Sequence, residues 1–157
     1  MNDELKDIVY SDLFRYTGNN RRFKRIYTTY LQERATSPEF SYISVFRRTQ
    51  YYYRQIPKYD GFLKYFTIAK FRVNSFRLDR LSRKYGFQIP YDTQIGKGFY
   101  LAHFGRVIIH PKAVLGHNVN VSTGVVIGTQ FRGKRKGAPV IGNYVWIGVN
   151  AVIVGKF

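Results

Sequence analysis

The chain has 157 residues, a length that fits one domain or one compact domain with a smaller appendage. With 45% hydrophobic and 22% charged residues it can bury a core, which excludes disorder by composition, and the absence of cysteine excludes a disulfide framework or a thiolate metal site. The net charge of +17 favours polyanionic partners, whether nucleic acid, anionic lipid headgroups or a phosphate-rich cofactor.

The first half of the chain is predicted to be helical. Four helices are expected, with approximate bounds 4–16, 22–34, 38–55 and 61–84. The first is broken at Asn19-Asn20. The third begins with Ser37-Pro38, an N-cap residue followed by proline in the first turn. Gly86 is the expected C-terminal stop of the fourth.

The second half has a period of six, which neither a helix nor an alternating strand produces. The branched apolar residues that recur at this step, which we call the anchors, are Ile89, Ile95, Leu101, Ile109, Leu115, Val121, Ile127, Ile141, Ile147 and Ile153. A repeat of this kind predicts a parallel β-helix in which three hexapeptides form one triangular coil and the anchors point inward. The expected coils span 89–106, 109–126 and 127–152.

Glycine directly follows five of the anchors. These glycines are Gly96, Gly116, Gly128, Gly142 and Gly148. We expect them to let the backbone turn with positive φ.

Two irregularities interrupt the repeat. A two-residue slip separates Leu101 from Ile109, and eight extra residues lie between Ile127 and Ile141. The excess, residues 130–137, has no apolar anchor and is predicted to leave the coil as a protruding loop. We therefore expect a helical domain at 1–86 and a β-helix domain at 87–157.

Few residues of the second half can do chemistry. Asp92 is its only acidic residue, so paired-carboxylate hydrolysis and two-metal catalysis are disfavoured, and no His, Asp or Glu cluster has metal-ligand spacing. A general base must then be a histidine. His103 lies just before the slip, whereas His110 and His117 lie on regular hexapeptides, so His103 is the favoured candidate.

Residues 86–148 resemble bacterial serine acetyltransferases and the capsule or polysaccharide acetyltransferases related to them. The matching stretches are Ile95-Gly96-Lys97-Gly98, Leu101-Ala102-His103, Leu115-Gly116-His117-Asn118-Val119, Gly124-Val125-Val126-Ile127-Gly128, Ala138-Pro139-Val140-Ile141-Gly142-Asn143 and Val145-Trp146-Ile147-Gly148. The helical half resembles the same family more loosely, chiefly from Pro38 to Tyr53. The resemblance implies an α+β protein with an N-terminal helical domain and a left-handed parallel β-helix of hexapeptide repeats.

The resemblance also implies roles for individual residues. His103 would act as the general base that takes the proton from an acceptor hydroxyl as it attacks the thioester of acetyl-CoA. The backbone around Gly128 would meet the developing oxyanion. In this family acetyl-CoA lies between protomers of a homotrimer, and Lys134, Arg135 and Lys136 would meet its phosphates. No metal is implied.

Three departures from the family bear on the acceptor. Serine acetyltransferases carry aspartates at the positions of Ala102 and Gln88 and a histidine at Ala138. These departures favour a sugar hydroxyl, such as that of a surface polysaccharide, over L-serine, which stays open. Gln88 or Asp92 is expected to contact the acceptor or replace the missing orienting carboxylate.

The location and the partners follow from charge and from the lack of targeting signals. The polar N-terminus does not have the pattern of a secretory signal. The sequence contains no run of about 18 apolar residues, so no membrane span is predicted. A cytoplasmic protein is therefore expected. Residues 1–88 contain 18 of the 26 basic residues, which predicts contact with an anionic membrane at its inner face.

Two further interpretations remain open. Residues 46–54 interleave aromatic and basic side chains, as nucleic-acid-binding segments do, although no recognised motif supports that partner and an ordinary amphipathic helix is favoured. The second interpretation is a catalytically inactive or truncated relative, because the last hexapeptide is not followed by a polar closing coil.

Overall fold

A computed structural model of the protein describes residues 3–18 and 26–156. Its four helices are α1 Asp3–Thr17, α2 Ile26–Thr36, α3 Pro38–Gln55 and α4 Gly61–Tyr85, with a short 3₁₀ turn at Ile56–Lys58. The predicted start of the second helix at Arg22 and the break at Asn19-Asn20 lie outside the described residues.

The predicted helix ends on α3 and α4 are confirmed. The Ser37 hydroxyl accepts a hydrogen bond from the Phe40 N–H at 3.2 Å, which satisfies one of the free donors of the first turn of α3. Gly86 ends α4 with φ of 80°, and its N–H donates to the Ser82 carbonyl.

The second half consists of short parallel strands. They are β1 Phe87–Gln88, β2 Gln94–Ile95, β3 Tyr100–Leu101, β4 Val107–Ile109, β5 Val114–Leu115, β6 Asn120–Val121, β7 Val126–Gly128, β8 Val140–Ile141, β9 Trp146–Ile147 and β10 Val152–Val154. Strands of successive coils stack into three sheets in the orders β1-β4-β7-β10, β2-β5-β8 and β3-β6-β9. The predicted parallel β-helix is confirmed.

The register of the sheets locates both irregularities of the repeat. Gln88 pairs with Ile108, twenty residues on, whereas Ile108 pairs with Val126, eighteen residues on. The two-residue slip therefore falls in the first coil. Val126 pairs with Val152, so the third coil contains the eight extra residues. The base of the protruding loop is an antiparallel bridge between Gln130 and Gly137.

The anchors form the interior of the β-helix. Nine of the ten are at most 7% exposed, and the tenth, Ile153, is partly buried against the same core. That core continues into the helices, where Tyr42, Ile43, Phe46 and Leu78 from α3 and α4 belong to the same buried cluster. Because short coils alone bury little area, the helices contribute much of the packing that holds the first coil.

The expectation of positive φ at the glycines after the anchors is wrong. The described glycines with positive φ do not include them. A Cβ added to Gly96 would lie 2.5 Å from the Gly116 carbonyl oxygen of the next coil. Glycine is required there because the corners of stacked coils approach closely. The positive φ falls two residues later, at Gly98, Asn118 and Tyr144, and Asn tolerates that conformation better than most residues.

Polar side chains of α1 and α3 cover the open edge of the first coil. Such an edge presents backbone groups that need partners. Tyr42 donates to the Ile89 carbonyl, and Gln50 donates to the Thr93 carbonyl at 2.7 Å.

A buried ion pair completes this cover. The Arg47 Nε lies 2.7 Å from the Asp12 carboxylate, and the guanidinium also donates to the carbonyls of Ile95 and Gly96. Asp12 in turn accepts from the Phe99 N–H at 2.8 Å. Burial raises the pKa of the Asp12 carboxyl, and the Arg47 charge opposes that rise.

Candidate active site

His103 lies in an exposed turn, residues 103–105, directly after β3. The backbone of this turn is fixed from three directions. Ala102 N–H donates to the Val121 carbonyl of the next coil at 3.0 Å, and Gly105 N–H donates to the Tyr85 carbonyl at the end of α4 at 2.9 Å. The slip predicted from the repeat thus forms a defined turn with an outward side chain at its tip.

The third contact comes from α3. The Phe104 N–H donates to the Glu39 carboxylate at 2.7 Å, and the other oxygen of Glu39 accepts from the Ser37 hydroxyl at 3.1 Å. The carboxylate is therefore held at the residue that follows His103. Glu39 is not among the residues predicted from the sequence, because no spacing pattern links it to a turn 65 residues away. The one available sign is that it is an acidic residue in the first turn of a capped helix.

The strand that leads into the turn is fixed by α1. The Tyr16 hydroxyl donates to the Leu101 carbonyl at 3.0 Å and accepts from the Leu101 N–H at 2.9 Å. Burial raises the pKa of the Tyr16 hydroxyl well above its ordinary value, so it stays protonated and able to donate. Both sides of the His103 turn are therefore anchored on helices.

The three histidines differ in what their rings contact. His110 Nδ1 accepts from the Lys112 N–H and His117 Nδ1 from the Lys97 N–H, both at 3.2 Å. Across residues 3–18 and 26–156, no hydrogen bond engages the His103 ring. His103 thus combines exposure, a fixed backbone and two ring nitrogens open to a ligand.

A groove of about 650 Å³ lies between α4 and the sheet β1-β4-β7-β10. Gln88 and Gly128 line it together, with His110 and, from α4, Ser75 and Ser82. The remaining predicted site residues are not part of its lining: Asp92, His103, Lys134, Arg135 and Lys136. Asp92 is exposed in the turn after Pro90, on the first coil.

The loop cations project into solvent. Lys134, Arg135 and Lys136 are exposed, while the loop backbone is tied down by mutual hydrogen bonds between Gln130 and Gly137 at 2.8 and 2.9 Å. The Arg135 carbonyl also accepts from the Lys156 N–H. The loop therefore presents three cations from a fixed base.

The structure also describes the residues behind the nucleic-acid, metal and membrane-span expectations. In the segment 46–54, Phe46 and Arg47 are buried, so they offer neither a stacking platform nor a phosphate contact. Among the described residues, no group of three or more His, Cys, Asp or Glu could hold a metal ion. None of the helices in the described ranges is both long and apolar enough to span a bilayer.

The fold defines a protein of the left-handed parallel β-helix class built from hexapeptide repeats, preceded by helices. Solved serine acetyltransferases share this architecture. A Brucella abortus serine acetyltransferase in complex with coenzyme A aligns over 98% of this chain and 55% of its own, with a TM-score of 0.68 and 20% identity. A Neisseria gonorrhoeae serine acetyltransferase in complex with serine aligns over 99% and 57%, with a TM-score of 0.68 and 22% identity.

The relatives found by sequence are also named serine acetyltransferases, and the predicted resemblance to that family is confirmed. The chain is 38% identical over 78 residues to chloroplastic serine acetyltransferase 1 of Arabidopsis thaliana, which covers 50% of this chain and 25% of the relative. It is 33% identical over 72 residues to a Helicobacter pylori serine acetyltransferase, covering 45% and 41%. The chain thus spans less than half the length of these curated relatives. No family model matches it.

Proposed function

We propose that the protein is an acetyl-CoA-dependent O-acetyltransferase in which His103 is the general base. The observation that carries the proposal is the His103 turn. It is exposed, its backbone is held by α3, α4 and the second coil, and its ring makes no hydrogen bond within the described parts of the chain. The similarity to named serine acetyltransferases supports acetyl transfer, and the solved complex of one of them with coenzyme A supports the donor.

The reaction needs a base because a hydroxyl does not ionise unaided at neutral pH. The His103 imidazole takes the hydroxyl proton as the oxygen attacks the carbonyl carbon of the thioester. The C–S bond then breaks, the acetyl group stays on the acceptor oxygen, and the departing thiolate receives the proton from the imidazolium. The backbone around Gly128 is proposed to donate to the oxyanion.

The acceptor is either L-serine or a sugar hydroxyl. The names of the relatives, and the serine bound to one of them, support serine. The family resemblance assigns ionisable side chains to the positions of Ala102, Gln88 and Ala138, and their replacement here supports a less charged acceptor such as a sugar of a surface polysaccharide. Gln88 and Asp92 are proposed to contact this acceptor.

Assembly is proposed to complete the site. His103 and the groove lined by Gln88 and Gly128 lie at different places on one chain. A homotrimer would bring the turn of one protomer towards the groove of its neighbour, and the outward Trp146 and Val152, exposed by 74% and 67%, offer apolar area for such an interface. Light scattering at micromolar concentration tests this assembly, and a monomer would contradict it. A cytoplasmic location at the inner membrane face is part of the same proposal.

The central test is the release of thiol from acetyl-CoA with L-serine and with a panel of sugars as acceptors. His103→Ala should lower the rate about 10²–10⁴-fold with little change in stability. His117→Ala is the matched control, because that histidine is also exposed but its Nδ1 accepts a hydrogen bond from the Lys97 N–H. Retention of more than half the rate in the His103 variant would overturn the assignment of the base.

The loop is proposed to bind the phosphates of acetyl-CoA. Replacing Lys134, Arg135 and Lys136 together with Ala should raise the KM for acetyl-CoA about tenfold, since each exposed contact with a phosphate contributes about 0.5–1 kcal/mol. The acceptor KM should move little, and high salt should mimic the change in the unaltered protein. An unchanged KM for acetyl-CoA would leave the loop without this role.

A further inference from the structure

The outward side of α4 carries a strip of exposed apolar residues. An α-helix turns by about 100° per residue, so residues spaced by four, three, four and three lie along one side. Phe62, Phe66, Ala69, Val73 and Phe76 have this spacing. The four larger ones are 81, 50, 52 and 62% exposed in that order, although apolar side chains of this size are usually covered.

The strip faces away from the body of the protein. The buried residues of α4 are Thr67, Asn74 and Leu78, which lie about half a turn round the helix from the strip. The inner face of the helix packs on α3 and the first coil. The outer face carries the apolar strip, and the exposed Arg80 follows Phe76 at the end of that strip.

Cations flank the strip on both sides. Lys70 and Arg77 lie along one border and Arg72 and Arg83 along the other, and all four are exposed. The Lys70 ammonium lies 4.1 Å from the centroid of the Phe66 ring, so aromatic and basic groups are presented together.

The basic groups also line two depressions on this side of the protein. One, of about 420 Å³, is lined by Arg72, Arg77 and Arg80 beside Val73 and Phe76. The other, of about 440 Å³, adds Arg34 and Lys84 to Arg77 and Arg80. The helix as a whole carries seven cations and one acidic residue, Asp79, which is paired with Arg83.

We propose that the outer face of α4 is a docking surface for an anionic lipid bilayer, with the apolar strip inserted at the headgroup boundary and the flanking arginines and lysines on lipid phosphates. Charge complementarity selects this occupant. A second copy of the same face is disfavoured, because seven basic residues of one α4 would lie against seven of the other, with only one acidic residue on each helix. Nucleic acid would suit the cations and rings but not the aliphatic Val73 and Ala69, whereas apolar residues between basic borders suit an interfacial helix. The inference deepens the proposed location at the inner membrane face and does not depend on the reaction at His103.

The test is co-sedimentation of the protein with vesicles of phosphatidylcholine, with and without about 30 mol% phosphatidylglycerol. The protein should bind the anionic vesicles, and binding should weaken with salt. Two variants, the triple Phe62→Ser, Phe66→Ser, Phe76→Ser and the triple Arg72→Gln, Arg77→Gln, Arg80→Gln, should each weaken this binding about tenfold or more. Circular dichroism should show both variants folded, because these side chains lie outside the core.

Matched controls distinguish an effect specific to the outer face of α4 from the general effect of removing positive charge or an exposed aromatic ring. Lys134→Gln, Arg135→Gln, Lys136→Gln removes the same charge from the protruding loop, and Phe131→Ser removes an aromatic ring that is 77% exposed there. Neither should change vesicle binding by more than about twofold. Equal loss in the loop variants, equal binding to neutral vesicles, or tighter α4-dependent binding to a single-stranded oligonucleotide than to anionic vesicles would each overturn the proposal. So would loss of self-association on mutation of the strip.

Discussion

Helices α3 and α4 are both rich in aromatic and basic residues but differ in how much of their surface other elements cover. Both interleave aromatic and basic residues, yet α3 buries ten of its eighteen residues and α4 three of its twenty-five. The difference arises from neighbours: α3 lies between the other helices and the first coil, whereas α4 packs along one side only. Arginine and phenylalanine therefore serve as core groups in α3 and as surface groups in α4, and composition alone does not separate the two uses.

The largest contrast in stability is expected between the buried Asp12–Arg47 pair of α1 and α3 and the exposed Asp79–Arg83 pair of α4. Asp12→Ala should lower the free energy of unfolding by about 3–5 kcal/mol, because it leaves Arg47 as an unpaired buried charge and removes the acceptor of the Phe99 N–H. Asp79→Ala breaks the exposed pair with Arg83 on α4 and should cost about 0–1 kcal/mol. Urea denaturation of both variants measures the difference.

The same experiment has an internal check. Adding Arg47→Met to Asp12→Ala removes the stranded charge and should restore part of the lost stability. If the Asp12 and Asp79 variants were equally stable, the buried pair would not be the element that distinguishes α3 from α4.

A second contrast compares one aromatic residue from each helix. Phe46→Ala removes a fully buried ring and should cost about 3–5 kcal/mol, about 6–20 °C in Tm for a chain of this size. Phe76→Ala removes a ring that is 62% exposed and should change stability by about 0.5 kcal/mol or less. Thermal melts of the pair test the assignment, and a large loss in the Phe76 variant would contradict an open outer face.

A third contrast concerns single hydroxyl groups. Tyr42→Phe leaves the Ile89 carbonyl without this donor and should cost about 1–3 kcal/mol. Tyr65→Phe removes a hydroxyl from a side chain that is 73% exposed on α4, so no measurable change is expected. Equal denaturation midpoints for the two variants would show that the cover over the first coil does not depend on this hydrogen bond.

The smallest effect on stability is expected where α3 meets the His103 turn. Glu39→Ala should lower kcat about tenfold by loosening the turn, with the KM for acetyl-CoA and the Tm nearly unchanged. Glu39→Gln keeps an acceptor for the Phe104 N–H and should recover most of the rate. If the Ala variant lost stability as well as rate, and the Gln variant recovered neither, Glu39 would have only a structural role.

Much of the candidate site depends on contacts that no local pattern encodes. The turn that carries His103 was predictable, because the slip is visible as a break in a six-residue period. Glu39 was not predictable, since it reaches this turn from the N-terminal end of another helix. The glycines after the anchors were recognised, but positive φ is not the reason for them. At Gly96 the reason is the close approach of the Gly116 carbonyl, which exists only between stacked coils.

The β-helix, its inward anchors, the slip and the protruding loop can all be predicted from the amino-acid sequence, because each follows from a short-range period that every coil must obey. Which basic and aromatic residues are covered depends instead on long-range contacts. Burial of Arg47 depends on Asp12, thirty-five residues earlier, and on carbonyls of the first coil nearly fifty residues later. The outer face of α4 is open because no described element packs on it, and helical periodicity predicts only that a face exists.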